Sequence, residues 1–196
     1  MKRRAAAILV LALCLAACGS SDSADERKES DLSMNMQHAA EYADAVISGT
    51  LAAVQPPVQW THGESTHGPC TDFRNRSLGT GTVTRRAVVT TVISDERRGS
   101  FLGVVERYWK SKGYKITTVR QHKKNPAMFA FTPENFQLAL EVGYKGQVFI
   151  DVVTPCATES KVASPKTKTN GPDYSGQDIP TPNVRSDFWS KGAPVS

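Results

Sequence analysis

The chain is 196 residues long, 39% hydrophobic and 22% charged, with a formal net charge of +5. That length suffices for one domain with a buried core. Lys2, Arg3 and Arg4 supply much of the charge; without them 21 basic side chains face 19 acidic ones, a balance of +2 that does not suggest a general nucleic-acid binder.

The first segment reads MKRRAAAILVLALCLAACGS. A basic start at Lys2–Arg4, an apolar run from Ala5 to Leu13 and small residues before Cys18 have the three-part form of a signal peptide, too short for a spanning helix. No later apolar run approaches the ~20 residues that a membrane span would need. The segment's end, Leu15-Ala16-Ala17-Cys18-Gly19, resembles the lipobox of bacterial lipoproteins. The resemblance covers the export segment alone. It implies cleavage between Ala17 and Cys18, a diacylglycerol thioether on Cys18, and a mature chain of residues 18–196 anchored at the extracytoplasmic face of a cell membrane. The Ala and Arg content is similar to that of a high-GC, actinobacterium-like source.

Residues 18–32 read as the lipidated tether, because GSSDSADERKES offers almost no apolar surface to offset the entropy of ordering. With Cys14 removed and Cys18 acylated, Cys70 and Cys156 are the thiols left. In the oxidising compartment that export implies, they most simply form a disulfide, the alternative being two buried free thiols.

The folded domain is expected over residues 33–156. A helix is predicted from Met34 to about Val54, with Ser33 as N-cap and Ala39, Tyr42, Ala43, Val46, Ile47 and Leu51 on its buried face. Gly49 weakens it, and Pro56-Pro57 stops it. Residues 58–80 read as a long irregular loop, and Thr82–Ile93 as a strand. A second helix is predicted from about Arg98 to Lys112, with Phe101, Val104, Val105 and Tyr108 as its core stripe, Trp109 at its edge and Gly113 as C-cap. Strands follow at Tyr114–Arg120 and Ala127–Thr132, then a hairpin over Phe136–Thr154. A three-residue loop, Tyr144-Lys145-Gly146, places Val142 opposite Val148, Leu140 opposite Ile150 and Leu138 opposite Val152, so that all share one face. Residues 157–196, rich in Pro, Ser and Lys, read as a mostly disordered tail. The Phe188-Trp189 pair is either a docking point on the domain or a short partner-binding motif, and docking is favoured.

The fold class is therefore α+β: two helices packed on one face of a four- to five-stranded, mainly antiparallel sheet.

The most unusual internal feature is basic. Residues 74–124 carry 13 Lys and Arg against Asp95, Glu96 and Glu106. The pairs Arg85-Arg86, Arg97-Arg98 and Lys123-Lys124 are candidate contacts for an anionic surface or wall polymer. Consecutive residues of a strand point to opposite faces, however, which splits Arg85 from Arg86, and ordinary solvated edges are the simpler account. His62, Glu64, His67 and Cys70 share one loop, but Cys70 is better used with Cys156, so no metal is expected. No nucleophile elbow, zinc-protease motif or phosphate-binding glycine loop occurs, so no catalytic residue and no cofactor is assigned. Asp151 falls on the outer face of its strand, where solvent accounts for it. Trp60, Trp109 and Trp189 read as residues closing the rim of a core.

These features point to a membrane-anchored cell-envelope lipoprotein acting as a non-enzymatic binding module. Its expected partners are the membrane through the lipid anchor, another envelope protein or an anionic polymer, and not nucleic acid. The alternatives are a wall-acting hydrolase with unrecognised residues, or a structural component of an envelope complex.

Overall fold

The structure is a computed structural model that describes residues 34–174 and 176–194. Ala17, Cys18, the export segment and the expected tether lie outside the described residues. The element order is α1 (Met36–Ala52), β1 (Trp60–His62), β2 (Thr66–Thr71), β3 (Ser77–Val89), α2 (Asp95–Ser111), β4 (Lys115–Arg120), β5 (Ala127–Phe131), β6 (Gln137–Val142), a single 3-10 turn (Tyr144–Gly146), β7 (Val148–Val153) and β8 (Ala157–Thr158).

The α+β class stands, but the sheet has eight strands rather than four or five. Its spine runs β1-β3-β7-β6-β5-β4, and β2 and β8 extend it along the two sides of the long β3. Every strand pairing is antiparallel. Two of the extra strands, β1 and β2, come from residues 58–80, expected as irregular loop, and the third, β8, from the expected tail. Trp60, Thr61 and His62 pair with Val89, Val88 and Ala87, and Thr66–Thr71 fold back along Thr84–Ser77. β2 is exposed at most positions, so it carries no inside–outside alternation to betray it.

α1 begins two residues later than expected, because Asn35 rather than Ser33 caps it: its Oδ1 accepts the His38 N–H at 2.9 Å. Gly49 does not stop the helix. A Cβ there would collide with the Tyr108 hydroxyl, so the glycine is what lets α2 approach. α2 starts at Asp95, earlier than the expected Arg98, and Asp95 and Glu96 then lie where the helix dipole favours carboxylates. Phe101 and Val105 are buried as expected, Leu102 and Trp109 join them, and Val104 and Tyr108 are half-buried against the core. Trp109 is fully buried rather than at an edge, and its indole N–H donates to Thr50 Oγ1 at 3.0 Å, joining the two helices. α2 ends as anticipated at Gly113 (φ +75°): the Gly113 N–H meets the Lys110 carbonyl and the Tyr114 N–H the Trp109 carbonyl.

The β6–β7 register is the expected one, with Val142, Leu140 and Leu138 opposite Val148, Ile150 and Val152. The Gly143 N–H to Gln147 carbonyl bond at 2.7 Å closes the three-residue loop. Two of its residues are left-handed, Lys145 (φ +56°) as well as Gly146 (φ +76°). Both helices pack on the face formed by these side chains together with Val83, Ala87, Val89, Met128 and Ala130.

Residues 157–194, expected as a mostly disordered tail, are packed on the domain. β8 pairs with Thr80 and Gly81 of β3. Asn170 and Gly171 hydrogen-bond the backbone of Val58 and Trp60, and Asn183 and Val184 bond the Thr90 carbonyl. Trp189 is 1% exposed, stacks edge-on against Phe101 and donates its indole N–H to the Pro56 carbonyl at 2.6 Å. The pair therefore docks through Trp189, while Phe188 stays partly exposed. A chain poor in apolar residues adheres here because its backbone completes hydrogen bonds that the β1 edge and the α2 entrance leave open. The core thus closes within the described residues, from Met36 to Trp189.

Candidate functional site

The six basic candidates do not form one face. Arg85 points inward from β3 and is 1% exposed. Its Nε lies 3.3 Å from Asp44 Oδ1 of α1, and its other nitrogens donate to Ser65 Oγ (2.6 Å) and the Ala163 carbonyl (2.7 Å). Burial pushes the Asp44 carboxyl above the ordinary Asp value, with Arg85 pulling it back, and burial lowers Arg85 in turn. Arg86 points to the opposite face, as strand alternation requires. It donates two hydrogen bonds to Asp151, at 2.7 and 2.6 Å, and lies over the Phe149 ring. Asp151 is on the outer face as anticipated, but an arginine rather than solvent satisfies it, and its hydrogen bond holds the Arg86 guanidinium above its usual value. Arg98 is buried too; it pairs with Asp95 at 2.6 Å and donates to the Lys124 carbonyl at 2.7 Å.

Arg85, Arg86 and Arg98 are therefore corrected from surface contacts to structural links. The buried guanidinium groups of Arg85 and Arg98 require ionic or hydrogen-bonded partners and have them, and the half-exposed Arg86 is committed to Asp151. Arg97 lies over the Phe188 ring at 4.4 Å, and Lys123 and Lys124 are exposed in the β4–β5 turn. The Arg98 bond to Lys124 draws that turn against the start of α2.

The result is a groove of about 530 Å³ between α2 and the end of β4. Leu102, Val119 and Pro126 give it an apolar floor, and Val119 is among the exposed large apolar residues. Asp95, Glu96 and Glu106 line it from α2; Arg120, His122 and Lys123 line it from the β4 side. Gly99 and Gly103, four apart on the helix, keep the α2 wall low: a Cβ on Gly99 would meet nothing within 4 Å. Of the six basic candidates Lys123 alone lines it. The other signal in the sequence is the glycine pair at helical spacing, which has meaning only once β4 is known to lie beside that face. A second cleft of about 430 Å³ shares Asp95, Glu96 and Lys123 and is closed by Gly192, Ala193 and Pro194 of the tail.

The histidine-containing segment is dispersed. His62 Nε2 lies 2.8 Å from the Thr167 carbonyl, His67 is exposed, and Cys70 is bonded to Cys156 with their Cα atoms 6.2 Å apart. Trp60 is buried beneath residues 170–171, next to a surface cleft of about 770 Å³. Among the described residues no helix is long and apolar enough to cross a membrane.

No protein-family model matches the chain. No curated protein sequence matches it either. Two solved structures align with it at a distance. One is a DUF4853 family protein from Actinomyces odontolyticus ATCC 17982, with 9% identity over 74% of this chain and 75% of that one, at a TM-score of 0.42. The other is the putative lipoprotein LppA from Mycobacterium tuberculosis, with 11% identity over 68% of this chain and 85% of that one, at a TM-score of 0.37.

Proposed function

We propose that this chain is a lipid-anchored protein of a bacterial cell envelope, and that it acts without catalysis by holding an envelope polypeptide in the α2–β4 groove. The observation that carries the reading is the groove's mixed charge: three carboxylates on one wall face Arg120, His122 and Lys123 on the other, over an apolar floor. Asp95 and Glu106 are paired with Arg98 and Lys110, and Arg120 with Glu141, so the groove offers both signs and no concentrated positive field for a polyanion, whereas a polypeptide segment carries apolar side chains and both signs of charge. The partner is thus a protein rather than an anionic polymer. The Cys70–Cys156 bond supports an extracytoplasmic location, since such bonds persist in oxidising compartments. The Leu15-Ala16-Ala17-Cys18 resemblance supports the lipid anchor. Asp44 and Tyr42, both raised by burial, link α1 to Arg85 and to Glu134, which favours architecture over turnover.

Topology favours a groove held away from the anchor. β3 runs twelve residue steps from Ser77 to Val89, about 40 Å. Met34 sits beside its first end, and the Lys123–Lys124 turn lies at its far end, where Asn125 donates to the Val142 and Gly143 carbonyls.

The test places a photo-crosslinking residue, p-benzoylphenylalanine, at Val119 in cells. Discrete protein adducts should form, and Glu106→Lys combined with Lys123→Glu should abolish them without altering thermal unfolding. Adducts that survive the charge reversals, or none at all, would overturn the groove assignment. Cys18→Ser should leave an unprocessed precursor or release the protein from membranes; an unchanged mass and partition would defeat the anchor.

A further inference from the structure

The β2–β3 hairpin ends in a turn that the groove does not use. At its tip Phe73 is 89% exposed, and Leu78 just beyond it is 58% exposed. Asp72 Oδ1 accepts the backbone N–H groups of Arg74 (2.8 Å) and Arg76 (3.0 Å), while Oδ2 accepts Arg76 Nε at 2.8 Å. The Asp72 N–H returns to the Arg76 carbonyl at 3.0 Å, and Asn75 takes the left-handed conformation (φ +59°). These bonds, led by those from Arg76, hold the Asp72 carboxyl below its ordinary range. The Cys70–Cys156 bond clamps the hairpin two residues before Asp72. Asp72 pairs with Arg76 at 2.7 Å, so Arg74, lying over the Phe73 ring at 5.1 Å, leaves the tip with a net positive charge.

The described chain begins at the same end of the molecule. Asn35 and Thr80 pair with Thr158 from its two sides, which puts them about 10 Å apart. The Met34 carbonyl accepts the Thr158 N–H, the Gly79 carbonyl accepts the Glu159 N–H, and the Met36 side chain lies against Gly81. Residues 19–33 are fifteen in number, and fully extended they span at most about 50 Å.

From this placement we infer that the Asp72–Arg76 tip is a second membrane contact, which sets Phe73 into the interface of an anionic bilayer beside the point where the anchored segment joins the domain. The inference rests on the lipid-anchor reading. An aromatic ring with a neighbouring arginine suits the headgroup region, and an anionic leaflet attracts the arginine. A rigid tip beside the tether would fix the domain's orientation, with the α2–β4 groove facing away from the bilayer.

The test uses the processed chain, residues 18–196, carrying Cys18→Ser so that it bears no lipid. Binding is measured by co-sedimentation with vesicles of phosphatidylglycerol and phosphatidylcholine, and with phosphatidylcholine alone. The parent should bind the anionic vesicles, and Phe73→Ser with Arg74→Glu should weaken binding by at least about fivefold at unchanged thermal unfolding. Trp60, Trp109 and Trp189 are all buried, so in Phe73→Trp the added indole reports alone on the surface. Brominated lipid should quench it. Equal binding by parent and double variant, no binding by either, or an unquenched indole on bound protein would overturn the inference. So would Phe73-dependent binding to a purified envelope protein without vesicle binding. The mass of the Cys18 peptide from cells is read separately. Absent acylation with intact vesicle binding defeats the anchor alone, whereas acylation with no effect of Phe73→Ser defeats the hairpin contact alone.

Discussion

Removing the Asp44 carboxylate would leave a buried guanidinium without its counter-charge. Arg85 would keep only neutral acceptors, Ser65 Oγ at 2.6 Å and the Ala163 carbonyl at 2.7 Å. Breaking one side of a buried ion pair costs about 3–5 kcal/mol, a large share of the ~5–15 kcal/mol that stabilises a domain. Asp44→Asn preserves the shape and isolates the charge, so urea unfolding should lose about 3 kcal/mol with an unchanged m-value. Arg85→Met adds a pH signature. Burial already raises the Asp44 carboxyl, and losing Arg85 removes the larger of the two charges that oppose this, His62 being the other. An acid whose folded pKa lies above its unfolded one binds more protons when folded. Its contribution is therefore present below the unfolded value near 3.9 and is lost as pH rises through the folded value. Relative to the parent, Arg85→Met should be least impaired in acid and should lose further stability across the range above about pH 4. An Asp44→Asn cost below about 1 kcal/mol, or an Arg85→Met deficit flat across that range, would refute the account of this pair as a buried, mutually dependent link.

Replacing both Cys70 and Cys156 with Ser should cost about 4–5 kcal/mol on the chain-entropy account of a closed loop of this length. Peptide mapping without reductant should recover the linked pair, and thiols that alkylate in the native protein would contradict it. Trp189→Ala removes a buried indole and its bond to the Pro56 carbonyl, and should cost about 3–5 kcal/mol in urea unfolding; a loss below about 1 kcal/mol would mean that the C-terminal segment is not bound to the core in solution.

Local chemistry was enough to find both helices, the β4 to β7 strands and the β6–β7 register. Periodicity and cap residues are short-range properties, and Gly113 ends α2 by a rule that needs no distant partner. The Cys70–Cys156 link was likewise legible, from compartment and counting. The roles of the arginines were not. Whether Arg85 meets solvent or Asp44 depends on which face of β3 the helix covers, and Arg98 is drawn inward by a carbonyl 26 residues away. β1 and β2 escaped because a strand short of apolar alternation exists only through its partner. The C-terminal segment was misjudged on composition, since its adhesion comes from backbone hydrogen bonds to exposed edges and from one tryptophan, and neither weighs much in an average. The groove belongs to the same class, a neighbourhood of residues distant in sequence that only packing brings together, and the hairpin tip, though local in sequence, gains its place beside the start of the domain only from the β3–β8 pairing.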